Sequence, residues 1–145
     1  MRKFLRVLFA VVLGLIVGSV VNMALITVSG KVIAPPAGAN VTTMEGLKAA
    51  MPLFEAKHFL FPFLAHAVGT LVGAFVAGLL APNKSAVPSY VVGALFLAGG
   101  IANVIMLPSP AWFTAADLLL AYLPAAWIGR AAAVSALARR SPASS

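Results

Sequence analysis

Asp117 sits within an apolar run that extends from Ala111 to about Arg130, and it is the only carboxylate inside any such run of the chain. An ionised Asp at the centre of a bilayer helix costs about 2.5 to 3.5 kcal/mol to insert, and the neighbouring Leu118, Leu119 and Leu120 recover only part of that. A carboxylate placed there demands a partner. His66 is the natural one, because it too lies in an uncharged run. It stands three residues before Gly69 and four before Thr70, on a helix face of small residues that points toward packed neighbours. A carboxylate against an imidazole either selects the ring tautomer or neutralises its cation, and imidazole is the side chain that titrates near neutral pH. Such a pair suits a proton relay or the binding of a small polar solute. Asn22 and Asn103, with Thr70, supply the remaining hydrogen-bonding groups.

Depth supports the grouping. Asn22 lies six residues before Val28, Asn103 five before Pro108, His66 seven after Phe59 and Asp117 seven after Pro110. At 1.5 Å per residue the four side chains stand roughly 7 to 11 Å below the same boundary, one from each apolar run. Three readings compete for this cluster: packing glue between helices, a transport or binding site, and an enzyme. Glue is the plainest, since interhelical hydrogen bonds in membranes average about 0.6 kcal/mol.

A second candidate is Glu55 with His58, three residues apart and so adjacent on a helix surface, as metal ligands or as acid and base. Di-metal carboxylate bundles repeat Glu-x-x-His on two helices, whereas this chain carries it once. A solvated interfacial pair, joined at most by Lys57, is the simpler reading. The chain has no Cys, which removes disulfides, thiolate metal sites and Cys nucleophiles. No nucleotide-binding loop, nucleophilic triad or complete metal motif occurs, so neither cofactor nor metal is expected, and an enzyme is the least favoured reading.

The elements that must position these residues are transmembrane helices. Of 145 residues 62% are hydrophobic and 9% charged, a balance no soluble fold of this length can bury. About 20 residues of helix cross roughly 30 Å of hydrocarbon. Four runs meet that length, over about 7–28, 57–80, 89–107 and 111–130, giving an all-α integral membrane protein, a single four-helix domain over 1–138. The first run is longer than the core of a signal peptide, and no small-x-small cleavage site follows it. Pro62 and Pro124 lie near the two polar helices and are candidate bends.

Residues 29–51 form the longest polar stretch. Pro35-Pro36 ends the first helix, and Thr42-Thr43-Met44-Glu45 predicts a capping box opening a short interfacial helix over 43–50. The tail over 139–145 is expected to be disordered. Glycines at four-residue spacing, Gly14 and Gly18 in the first span and Gly69 and Gly73 in the second, make close-packing faces, used within the bundle or in a homo-oligomer. Gly18 to Asn22 is echoed by Gly99 to Asn103, a hint of two parallel hairpins.

The formal charge of +7 does not point to nucleic acid, because the ten Lys and Arg flank the apolar runs. They predict topology instead. Arg2, Lys3, Arg6, Lys84, Arg130, Arg139 and Arg140 fall on one side, against Lys31, Lys48 and Lys57 on the other, where Glu45 and Glu55 offset them. That asymmetry predicts both termini in the cytoplasm of a bacterial-type inner membrane, with residues 29–51 as an extracytoplasmic cap. Phe54, Phe59, Phe61, Phe63, Trp112 and Phe113 then gather near the outer interface as an aromatic belt. The partner is the lipid bilayer. A structural or accessory role through another protein is the alternative to solute or proton handling.

Overall fold

The computed structural model describes residues 1–140, all of whose regular elements are helical. In chain order these are α1 (Arg2–Val32), α2 (Met44–Ala50), α3 (Leu60–Leu80), α4 (Val87–Met106), α5 (Ala111–Leu120) and α6 (Leu123–Arg140), with 3₁₀ turns at Met51–Leu53, Ala56–Phe59 and Pro82–Lys84. Four helical stretches are long and apolar enough to cross a membrane: Arg2–Val32, Ala56–Leu80, Val87–Met106 and Ala111–Arg140.

The first of these outruns its expected bounds at both ends. No proline interrupts Arg2 to Arg6 or Ser29 to Val32, Gly30 alone does not end the helix, and α1 stops only where Ile33 turns extended ahead of Pro35 and Pro36. With 31 residues it is roughly 46 Å long, more than the hydrocarbon thickness requires. The last stretch departs the other way. It is two helices, because Ala121 and Tyr122 interrupt it ahead of Pro124, whose missing N–H cannot continue the ladder. Pro62 bends nothing, since it falls in the first turn of α3, where an amide proton has no helical partner to lose. Arg139 and Arg140, expected in a disordered tail, are the last residues of α6, and 141–145 lie outside the described residues.

α3 is the centre of the bundle, packed by α1 most extensively, then by α6 and α4, while α4 also touches α1 and α6. Small residues set this arrangement. A Cβ on Gly14 would come 2.6 Å from the Gly73 carbonyl oxygen, and one on Gly18 2.6 Å from that of Gly69, so α1 and α3 run backbone against backbone. The four-residue glycine faces therefore meet each other within one chain. Gly129 lets α6 approach the α3 backbone at Leu71 in the same way. Ser89, fully buried on α4, donates to the Ala74 carbonyl of α3 at 2.8 Å.

The two ends of the bundle differ in charge and shape. At the basic end the turn after α3 carries positive φ at Asn83 (53°) and Lys84 (55°), and Arg130 Nη2 donates to the Lys84 carbonyl at 2.6 Å. The opposite end carries the cap. Its helix is capped differently from expectation: Thr43, not Thr42, is the N-cap, accepting from the Gly46 amide at 3.1 Å. Thr42 is held by Asn40, to whose side-chain oxygen both its amide (3.0 Å) and its hydroxyl (2.7 Å) donate. The capping box lies further on. The Glu55 side chain accepts the His58 amide while His58 Nδ1 accepts the Glu55 amide at 2.9 Å. Of the aromatic belt, Phe59 and Phe113 are buried against each other, with ring centroids 4.7 Å apart, and pin α5 to the start of α3.

Candidate functional site

Helix α3 delivers His66 from its second turn, and α5 delivers Asp117 from its own second turn, in the first third of the fourth stretch. The two meet. His66 Nδ1 lies 2.8 Å from Asp117 Oδ1 and 3.0 Å from Oδ2. Asp117 is 2% exposed. Its second oxygen also accepts from the hydroxyl of Tyr122 at 2.9 Å, and the Tyr122 ring stacks on His66 with centroids 5.6 Å apart. One carboxylate thus takes two donors and joins α3, α5 and the α5–α6 break.

Tyr122 was not among the residues singled out from sequence. It follows Asp117 by five positions, which on an unbroken helix turns it about 140° away. Only the interruption at Ala121 and Tyr122 swings the ring back onto the carboxylate. The signal was Pro124, whose effect on the ladder begins just at these residues. A second participant is Gly100 of α4, where any Cβ would collide with the Tyr122 hydroxyl. Its lack of a side chain admits the phenol.

With Nδ1 facing a carboxylate, the neutral ring carries its proton there, and Nε2 is left as a bare acceptor. Among the described residues Nε2 takes no hydrogen bond. The ring borders a chamber of about 500 Å³. The cap contributes Val41, Leu47 and Met51 to its wall, α1 contributes Ile26, and His66, Asn103 and Asp117 are among its polar groups, with Thr27, Ser29, His58 and Ser109. That size and lining, mostly apolar with a few convergent polar groups, are those of a small-molecule site.

A second cavity of about 290 Å³ lies between α1 and α4, and His66 and Asn103 line both cavities. Asn22 and Tyr122 line the second one. The expected network through the asparagines is incomplete: Asn22 Oδ1 is buried without a hydrogen-bond partner, as is the hydroxyl of Thr70, itself fully buried on α3. Buried polar atoms are rarely left so.

Glu55 and His58 stand apart from this pair. The expected solvated face is correct only for the 3.1 Å surface contact between Glu55 and Lys57. His58 is buried, uses Nδ1 in the capping box, and reaches the Ala34 carbonyl with Nε2 at 3.2 Å. Both ring nitrogens are thereby committed to backbone, which ties the chain after α1 to the turn before α3. Among the described residues no three His, Asp or Glu group together in a way that could hold a metal ion. Comparison with protein-family models, with curated proteins and with solved structures finds no match to this chain.

Proposed function

We propose that this chain is a bacterial inner-membrane protein, with both termini cytoplasmic and the cap outside, that handles a proton or a small solute at the His66–Asp117 pair. The supporting observation is the pair itself: an imidazole oriented by a buried carboxylate, its Nε2 unpartnered, bordering a roofed chamber. Tyr122 also donates to Asp117, through the Oδ2 that His66 Nδ1 approaches as well, so the carboxylate is held by a second donor besides the imidazole. The interrupted fourth span beside the pair resembles the broken helices on which membrane transporters build their binding sites.

The competing reading makes the cluster packing glue, with activity residing in a partner protein. The unpartnered Asn22 oxygen and Thr70 hydroxyl weigh against it, because a network serving only to bind helices gains by satisfying its members. Flux separates the two. Proteoliposomes containing a pH-sensitive dye are expected to acidify faster than protein-free vesicles after an external acid jump, and Asp117→Asn is expected to abolish the difference. Wild-type and Asp117→Asn vesicles acidifying at the same rate would remove the proton-handling form of the proposal.

A further inference from the structure

The cavity between α1 and α4 opens sideways. Toward the basic end these helices touch, with Val92 3.1 Å from where a Gly14 Cβ would stand and Phe96 3.0 Å from that of Gly18. One turn further along α4, a Cβ on Gly99 would meet nothing within 4 Å. The helices have parted there, and Ser19 on one lip and Gly99 on the other are exposed. In a chain lying in a bilayer, this opening faces the acyl chains.

Beside Leu15, Leu95 and Phe96, half of the residues around that opening carry polar side chains: Ser19, Asn22, Asn103, His66 and Tyr122. Polar side chains at a lipid-facing gap are costly and point to a polar group that passes or rests there. The capped chamber beyond His66 and Asn103 is the reverse, walled largely by apolar residues such as Ile26, Val104, Leu107 and Phe113. A polar gate leading from lipid to an apolar pocket matches a molecule with a polar head and an apolar chain. Head chemistry follows from the gate. His66 Nε2 accepts, the Asn103 amide both donates and accepts, and the neighbouring Asp117 carboxylate repels an anionic head. A hydroxyl satisfies all three conditions.

We infer that the site takes a hydroxyl-headed amphiphile from the bilayer through the α1–α4 opening, its head held by His66 and Asn103 and its chain in the capped chamber. This rests on the reading of His66–Asp117 as a binding site and names its substrate class.

The probe is a medium-chain primary alcohol carrying a mid-chain diazirine, added to the full chain in nanodiscs, photolysed, and mapped by mass spectrometry. Labelling is expected on chamber residues such as Val104 and Phe113 and is expected to be suppressed by excess unlabelled alcohol. Gly99→Trp and Ser19→Trp, both at exposed positions, should close the opening without disturbing the core, and each is expected to reduce chamber labelling to the level of the competed control. Absence of competed labelling in the wild type overturns the amphiphile. Labelling that persists in both tryptophan variants overturns the lateral route, and labelling unchanged in His66→Gln overturns the head position. Each can fail while His66 still responds to Asp117 in solution, so failure here is distinguishable from failure of the pair as a site.

Discussion

The basic half of the bundle and the cap half are built from the same four spans on opposite packing rules. In the basic half, α1, α3, α4 and α6 approach through Gly14, Gly73, Ala74, Ala77, Gly93, Ala126 and Gly129, with Ser89 as a single buried hydroxyl bonded to backbone. In the cap half the helices part, the side chains grow, and cavities border His66, Asn103 and Asp117. In a bilayer, where lipid tails give helices no hydrophobic reason to associate, close backbone contact is what supplies cohesion. Concentrating that contact at one end lets the other end stay open enough to hold chemistry.

The sharpest way to break this contrast is to put a side chain into the closed half. Gly14→Leu places atoms against the Gly73 carbonyl, which backbone cannot yield cheaply, and is expected to destabilise by about 3 kcal/mol or more, at or beyond the usual overpacking range. Loss of monodisperse protein in detergent checks it, and a variant that melts like the wild type would show that the halves do not differ as described. Gly100→Ala is the corresponding insertion at the site. Its methyl displaces the Tyr122 phenol, and an intermediate loss of about 1 to 3 kcal/mol is expected, with the His66 resonance shifted.

Tyr122→Phe removes a single hydrogen bond and leaves the ring stacked on His66, so a loss near 0.6 kcal/mol is expected, typical of interhelical bonds in membranes. A reversible unfolding assay in mixed micelles measures it. The smallest loss belongs to Gly99→Ala, where open space receives the methyl and helix propensity favours it, so no loss is expected and stability should hold or rise. A large loss there would mean that α1 and α4 close on each other and that the lateral opening is absent.

Much of this contrast was legible in the sequence. Apolar run lengths identified the four helical stretches that are long and apolar enough to cross a membrane, to within a few residues at most ends, because that property depends on composition more than on tertiary detail. The glycine spacing identified the close faces, and helical periodicity brought His66 and Asp117 to one depth. What escaped was whatever depended on a break in periodicity. Tyr122 was invisible because the arithmetic of an intact helix turns it away from Asp117. Thr42 fits the capping-box pattern because Glu45 follows it by three residues, whereas Thr43 has Gly46 there; Asn40 takes the Thr42 hydroxyl and amide and leaves Thr43 to cap. His58 looked solvent-facing because its acceptor, the Ala34 carbonyl, lies twenty-four residues away on a segment without periodicity. Cavities are likewise properties of where helices part, which no single helix encodes.

The most direct test of the central claim is the nitrogen NMR spectrum of the His66 imidazole in nanodiscs, in wild type and in Asp117→Asn. The expected result is a wild-type ring that carries its proton on Nδ1 against the carboxylate with Nε2 bare, and ring signals that change when the carboxylate is replaced by an amide. Ring signals that are identical in both proteins would contradict a working His66–Asp117 site and leave the cluster as packing alone.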